Sequence, residues 1–193
     1  MEQKYIEDKM HELEKIINYK FNNINLLCEA MNATKIKYEN AGKNNETYVN
    51  EGLALVGDTI LKFVLSDKIF SEETKIKGEI TKSKEKLENN HNLYNVSKCL
   101  GAIYYLYNVS NEKIHFYGDK NVPEHETVCC GKHDASIEAI IAAIYYDSSF
   151  YNIKCWILYF LYPILVKIWF LFFSKYLLIA YSMSCYNKEK EGK

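Results

Sequence analysis

The sequence predicts an all-helical fold, and three observations support that prediction. Apolar residues recur at three- and four-residue steps near the N-terminus, as in Met10, Leu13, Ile16 and Ile17, which is the spacing of one buried helix face. Alternation of apolar and polar residues with a period of two, the pattern of half-buried strands, is almost absent. With 193 residues, 48% of them hydrophobic and only two of them proline, the chain can bury the core of one domain.

The central helices are delimited by polar and turn-forming residues. Residues 41–47 are polar and contain glycine and asparagine, so they predict a loop before a helix that runs from about residue 48 to about residue 70. Gly78 begins a further helix, which Asn89-Asn90 ends. Residues 93 to about 106 are predicted to form the next helix.

The remainder of the chain falls into two parts. Residues 108–132 contain glycine and proline, and they predict a long irregular connection that could hold one short helix. Residues 155–183 are almost continuously apolar. We therefore predict a helical domain over residues 1–167 and an apolar extension with a charged tail over residues 168–193. A packed or dimer-burying helix is the favoured interpretation of the extension, and a membrane anchor or a mis-spliced tail are the alternatives.

The charge of the chain constrains its partners. A formal net charge of −1 argues against a generally basic nucleic-acid binder, so RNA binding would need a local patch. All 24 basic residues are lysine, which meets phosphates as a point charge rather than as a bidentate fork. The best candidate patch lies between residues 75 and 90, and its proposed RNA-binding residues are Lys82, Lys84, Lys86, Asn89 and Asn90. The alternative is a solvated helix face in which lysines alternate with Glu79, Glu85 and Glu88.

The six cysteines contain no CxxC pair, and the first fifteen residues are too charged for a secretory signal. Both features predict free thiols and an intracellular location, cytoplasmic or nuclear, with membrane anchoring by the apolar C-terminal segment as the alternative. A zinc site at His125, Cys129, Cys130 and His133 is disfavoured, because adjacent cysteines chelate one ion poorly and the spacing matches no common zinc finger.

Two apolar helices carry carboxylates at helical spacing. Glu51 and Asp58 lie seven residues apart, and Asp134 and Glu138 lie four apart, so each pair shares one helix face. Burying a carboxylate is costly unless a cation or hydrogen bonds compensate it. The two helices therefore predict a shared cation site.

These segments, taken together, resemble the ribonuclease III domain. Residues 13–27 look like the opening helices of that family, 50–58 like its nine-residue signature, 78–93 like its third conserved block and 138–150 like its last. The resemblance implies a double-stranded-RNA-specific endoribonuclease, which acts as a two-fold homodimer and depends on Mg²⁺, with Mn²⁺ as a substitute. Leu53, Val56 and the aromatic C-terminal helices are the expected dimer contacts.

The resemblance also assigns the acids and shows where the chain departs from the family. It implies that Asp58 and Glu138 are catalytic and bind the metal, with Asp134 and Glu51 as additional candidates. The two other acids of the usual quartet are Ala54 and Ala135 here.

Two interpretations follow from this reduced set of acids. The chain is similar to the compact Mini-ribonuclease III enzymes, which are active without the full set. It is also similar to the ribonuclease III-like proteins of mitochondrial large ribosomal subunits, which lack catalytic acids and bind RNA. An inactive domain that binds structured RNA or a protein partner is therefore the alternative function.

Overall fold

The fold is organised around one helix that is almost completely enclosed. This helix, Ser136–Asp147, is apolar on all sides, and every residue from 136 to 144 is buried. A helix of this kind needs other elements around its whole circumference. The computed structural model describes residues 2–40, 43–110, 112–118 and 135–171.

The described residues contain seven α-helices and two β-hairpins. The helices are α1 (Glu2–Ile16), α2 (Ile24–Ala30), α3 (Glu51–Glu72), α4 (Lys77–Glu88), α5 (Asn90–Leu100), α6 (Ser136–Asp147) and α7 (Phe150–Trp156). The strands are β1 (Lys35–Asn40), β2 (Lys43–Tyr48), β3 (Tyr107–Ser110) and β4 (Lys113–Phe116). Helix α6 packs most extensively against α3 and also contacts α2, α5 and α7.

The predicted all-helical class is confirmed, and the two hairpins are additions to it. Strand β2 lies where a loop was predicted and pairs antiparallel with β1, which precedes that loop. Strands β3 and β4 pair at the start of the predicted irregular connection. Strand β1 is exposed at every position, so it has no buried face, although Ile36 and Tyr38 alternate with charged residues. This alternation includes only two apolar residues and was too short to predict a strand.

Helix α5 starts and ends earlier than predicted. It begins at Asn90, because the side chain of Asn89 caps it by accepting a hydrogen bond from the Asn92 backbone N–H at 2.9 Å. It ends at Leu100, because Gly101 adopts a left-handed conformation with φ of 80°. A short 3₁₀ turn, Ala102–Tyr105, occupies the rest of the predicted helix.

The C-terminal helix, Phe150–Leu171, comprises α7, a π-helical segment at Ile157–Leu161 and a final stretch of helix. Leu165 and Ile168 are buried in the core, so the helix packs on both sides of the predicted boundary at residues 167 and 168. The division into two parts stays a prediction, since residues 172–193 lie outside the described residues.

This C-terminal helix is long and apolar enough to cross a membrane, with a mean hydropathy of 1.5 over its best window, of which 33% is buried. A core helix of a soluble protein has the same properties. Its length and composition therefore do not place the chain in a membrane.

The described cysteines, Cys28, Cys99 and Cys155, are free thiols, as predicted. The residues of the disfavoured zinc site and Asp134 lie outside the described part of the chain.

Candidate active site

The candidate site forms where α3 crosses α6. Gly57 lies so close to α6 that a Cβ atom in its place would be 1.7 Å from the backbone oxygen of Glu138. Only a residue without a side chain permits this approach. Asp58 follows Gly57 directly, so the close crossing brings Asp58 and Glu138, the two predicted catalytic acids, to the same place.

Asp58 and Glu138 both line a cleft beside this crossing, with a volume of about 300 Å³. The side chain of Asp58 is 30% exposed, whereas Glu138 is 9% exposed. The cleft is lined by Glu51, Ala54, Leu55, Asp58, Asn90, Ala135 and Glu138. Three of the four candidate metal ligands thus share one cleft.

Lys62 lies among these acids. Its Nζ atom is 2.6 Å from Oδ2 of Asp58, one helical turn away on α3. The hydrogen bond to Asp58 raises the pKa of Lys62, and the charges of Asp58, Glu88 and Glu138 raise it further, while burial opposes the shift. The ammonium group therefore stays protonated and partly neutralises the acidic cleft.

Glu88 is a largely buried acid at the end of α4. The sequence analysis placed it on a solvated helix face only in the alternative to an RNA-binding patch, and its side chain is 9% exposed. Its Oε1 atom lies 3.5 Å from Nζ of Lys84. Burial raises the pKa of Glu88, the positive charges of Lys84 and Lys62 lower it, and the negative charge of Asp58 raises it. The charges of Lys62 and Asp58 therefore reach Glu88, which does not itself line the cleft. Its position immediately after buried Leu87, at the end of α4, was the available sequence signal.

Glu51 has a structural role at the start of α3. Its Oε2 atom accepts hydrogen bonds from the Thr47 hydroxyl and, at 3.3 Å, from the backbone N–H of Tyr48. These bonds hold β2 against the first turn of α3. Glu51 still faces the cleft, and its role as a metal ligand stays a prediction, as does that of Asp134.

The proposed RNA-binding residues do not form one patch. Lys84 pairs with Glu88, whereas Lys86 lies over the ring of Trp169, with Nζ 5.3 Å from its centroid. The side-chain amide of Asn89 donates to the backbone oxygens of residues 85 and 86, and its oxygen caps α5. Lys82 is exposed, and Asn90 lines the cleft. Their contact with RNA stays a prediction.

Comparison with known proteins shows which family has this pattern of residues. The pattern of the Ribonuclease III domain family matches residues 51–149, just over half of the chain, including α3, α6 and the three acids that line the cleft.

The chain belongs to the ribonuclease III domain family.

Individual members of the family are similar to this chain over most of its length. Ribonuclease 3 of Wolbachia from Brugia malayi is 30% identical over 150 residues, which cover 77% of this chain and 57% of that protein. Ribonuclease 3 of Clostridium kluyveri is 31% identical over 153 residues, which cover 76% of this chain and 55% of the relative. The chain thus spans a little over half the length of these relatives.

Two solved structures have the same fold. Both are of the nuclease domain of ribonuclease III from Campylobacter jejuni, and one was described for flexibility in a region involved in dimer formation. That structure has a TM-score of 0.56 and 21% identity, and the match covers 80% of this chain and 94% of the other. The second has a TM-score of 0.53 and 22% identity, covering 83% and 93%. The ribonuclease III nuclease-domain fold is therefore confirmed.

The acids of the cleft can be compared with the needs of the divalent metal that the ribonuclease III resemblance implies. Among the described residues, no group of three or more histidine, cysteine, aspartate or glutamate side chains is gathered closely enough to enclose a metal ion. Mg²⁺, however, is commonly held by one or two carboxylates and keeps several of its waters. Asp58 and Glu138, facing a cleft wide enough for water, fit that requirement.

Proposed function

We propose that the protein is a magnesium-dependent endoribonuclease of the ribonuclease III type, which hydrolyses double-stranded RNA as a homodimer. The observation that carries this proposal is the convergence of Asp58 and Glu138 on one cleft where α3 crosses α6. Asp58 pairs with Lys62 of its own helix, one turn away.

In the proposed mechanism, Asp58 and Glu138 would hold the metal ion in the cleft between α3 and α6. Bound Mg²⁺ would supply an activated water and would stabilise negative charge on the attacked phosphate. Lys62 lies within one helical turn of Asp58 and is half-exposed, so its ammonium group can turn from Asp58 to an RNA phosphate. The buried wall beside Glu138 keeps that carboxylate fixed and limits the access of bulk water.

The direct experiment is incubation of the purified protein with long duplex RNA over a range of Mg²⁺ and Mn²⁺ concentrations, with EDTA as the blank. Discrete cleavage that disappears in Asp58→Asn would support the proposal. The substitution keeps the shape of the side chain and removes its charge, so loss of cleavage would report on the site rather than on the fold.

Two observations favour the alternative, an inactive domain that binds structured RNA or a protein partner. The cleft positions of two family acids are Ala54 and Ala135, which cannot bind metal, and Lys62 already pairs with Asp58. Retention of duplex RNA without cleavage at any concentration of either metal would select this alternative over the enzyme.

The proposed dimer has a candidate surface on α3 and the C-terminal helix. Leu55, Phe63 and Phe70 are 70%, 56% and 50% exposed, and their spacing of eight and seven residues places them on one face of α3. Phe63 packs edge-on against Phe150, with ring centroids 5.6 Å apart, which extends the surface to the C-terminal helix. Two-fold symmetry would bring this self-complementary surface against its copy.

The expected dimer contacts need one correction. Leu53, which was predicted at the interface, lies in the core with 9% exposure, and Leu55 takes the outward position. Val56 is half-buried against the core. Sedimentation of Leu55→Asp should show monomers, whereas Val109→Asp, which changes an exposed apolar residue on β3, should remain dimeric. A parent protein that is monomeric at micromolar concentration would contradict the dimer.

Recognition of the duplex is proposed to be by shape and charge. Double-stranded RNA presents its phosphates and 2′-hydroxyls rather than its base edges, so little sequence preference is expected. Because lysines are the only basic residues, binding should weaken steeply with salt. Lys82→Gln should lower the salt slope by about one, since this exposed lysine would contribute one phosphate contact. An unchanged slope would remove Lys82 from the interface.

A further inference from the structure

We propose that the outer side of the C-terminal helix, Phe150–Leu171, binds the surface of a membrane that contains anionic lipid. The exposed apolar residues that carry this proposal are Tyr151, Tyr159, Phe170 and Leu171, and we call them the outer stripe. The helix lies on the lipid surface rather than crossing it. This inference concerns where the protein is held, and it does not depend on whether the protein cleaves RNA.

The outer stripe exposes an unusual amount of apolar surface. The side chains of Tyr151 and Tyr159 are 74% and 81% exposed, and those of Phe170 and Leu171 are 57% and 56% exposed. Only 33% of the most apolar window of this helix is buried. A helix on the surface of a soluble domain normally turns charged and polar residues outward. Several large apolar side chains exposed along one helix are typical of a surface that binds a partner.

The charge of this part of the chain indicates what kind of partner fits. The chain has 25 acidic residues, but no aspartate or glutamate occurs between Asp147 and Glu189. The same stretch contains Lys154, Lys167, Lys175 and Lys188. A chain with a net charge of −1 therefore has one long segment in which every charged side chain is basic. Such a segment is attracted to the negative surface potential of anionic lipid.

The residue types distinguish lipid from the other partners that this surface could bind. Tyrosine is enriched where a membrane meets water, because its ring is apolar and its hydroxyl stays hydrated. Lysine can lay its stem along apolar surface and place its ammonium group among the headgroups, and Lys167 is exposed on this helix. Duplex RNA would match the lysines but not the apolar side chains. A second copy of the chain would match the apolar side chains but would not account for the missing acids.

The inner side of the helix determines how it can meet the lipid. Leu161, Leu165 and Ile168 are buried in the core of the domain. To cross a membrane, the helix would have to leave these contacts. A helix with one side packed in a protein and an apolar, basic side facing outward can instead lie in the plane of the membrane interface.

The test measures binding of the purified full-length protein to vesicles by flotation. Vesicles of phosphatidylcholine and phosphatidylglycerol should bind the protein, vesicles of phosphatidylcholine alone should bind it weakly, and salt should weaken the binding to the anionic vesicles. Lys167→Gln should lower the affinity for the anionic vesicles about fivefold, since it removes one basic residue at the surface. Lys98→Gln, which changes an exposed lysine on α5, is the matched control and should leave the affinity unchanged.

A second comparison tests the aromatic residues. Replacing both Tyr159 and Phe170 by serine should lower the affinity for anionic vesicles by about tenfold or more, because two large apolar side chains no longer enter the interface. Tyr104→Ser is the control, since Tyr104 is 52% exposed and lies on the 3₁₀ turn Ala102–Tyr105. Thermal unfolding of each variant should show a native fold.

Three results would overturn the proposal. The first is failure of the parent protein to bind the anionic vesicles. The second is an equal loss of binding in Tyr104→Ser and in the double variant. The third is an absence of vesicle binding together with a change in sedimentation of the double variant, which would make the outer stripe an interface between copies of the chain. Cleavage of duplex RNA by the double variant should match that of the parent, so the proposed function and this inference can fail separately.

Discussion

Helix α6 carries one carboxylate near each end, and the two have opposite surroundings. Asp147, at the C-terminal end, accepts hydrogen bonds from the Tyr19 hydroxyl at 2.9 Å and from the backbone N–H groups of Asn22 and Asn23 at 3.0 and 2.8 Å. Glu138, at the N-terminal end, faces a cleft that also holds Asp58 and the charge of Lys62.

The difference shows what separates a structural acid from a candidate catalytic one. The donors around Asp147 are neutral, come from the loop between α1 and α2, and fill its oxygens, so that this carboxylate ties the N-terminal helices to α6. The surroundings of Glu138 are acidic and open to a cleft, an arrangement that favours a cation. The spacing of acids along α6 does not distinguish the two, whereas their partners do.

The largest expected effect on activity comes from neutralising Glu138. Glu138→Gln should lower the cleavage of duplex RNA by about a thousandfold, since loss of a metal ligand removes several kcal/mol of transition-state stabilisation. Initial rates at saturating Mg²⁺ measure this. The matched control is Asp147→Asn, which should cleave at close to the parent rate when the protein is folded. Equal losses in both variants would remove the distinction between the two ends of α6.

The next effect concerns the crossing that places Glu138. Gly57→Ala would put a Cβ atom 1.7 Å from the backbone oxygen of Glu138, and backbone cannot rotate away as a side chain can. Helices α3 and α6 would have to separate, and we expect a loss of about 3 kcal/mol in the free energy of unfolding. For a chain of this size, the melting temperature should fall by about 6–12 °C.

Gly52→Ala is the control for Gly57→Ala. A Cβ atom at Gly52, on the same helix, would meet nothing within 4 Å. This variant should be as stable as the parent or slightly more stable, because alanine favours the helix. If both glycine variants unfold at the same temperature, the close crossing of α3 and α6 is not present in solution.

The crossing of α3 and α6 also shows how much of the site could be predicted from the sequence. The register of Asp58 and Glu138 was accessible from the sequence because the apolar helix pattern and the family signature surround both residues. Glu88 was harder to predict, since its burial depends on how α4 packs against α3, and its position after buried Leu87 was the available signal. Contacts between elements, rather than spacing within one element, decided its burial.

The hairpins illustrate a second limit of prediction from the sequence. Strands β1 and β2 pair through backbone hydrogen bonds and keep most side chains in solvent, so no buried face marks them in the sequence. Helix α5, by contrast, could have been delimited more closely, because Asn89 and Gly101 are standard start and stop signals. Asp147 and its three donors, Tyr19, Asn22 and Asn23, could be predicted only in part. The acid is apparent in the sequence, but its donors are more than 120 residues away along the chain.

A smaller effect is expected at the structural end of α6. Asp147→Ala removes the acceptor of two backbone N–H groups and of the Tyr19 hydroxyl. Since the site is half-exposed and water can replace part of these bonds, we expect a loss of about 2 kcal/mol in the free energy of unfolding. Urea unfolding measures this loss. An unchanged stability would show that the α1–α2 loop is held by its apolar contacts alone.

The smallest effect is a pH dependence at the same cluster. Burial raises the pKa of Tyr19 above its usual value of 10, and the neighbouring Asp147 adds to the shift. A raised folded pKa means that the stability contributed by neutral Tyr19 is present below pH 10 and is lost as the pH rises through the folded value. Tyr19→Phe lacks this titration. The stability difference between parent and Tyr19→Phe, measured by urea unfolding, should therefore be smaller at pH 11 than at pH 9. Other tyrosines and lysines titrate equally in both proteins and cancel in the difference. A difference that is constant over this range would mean that Tyr19 is not held against Asp147.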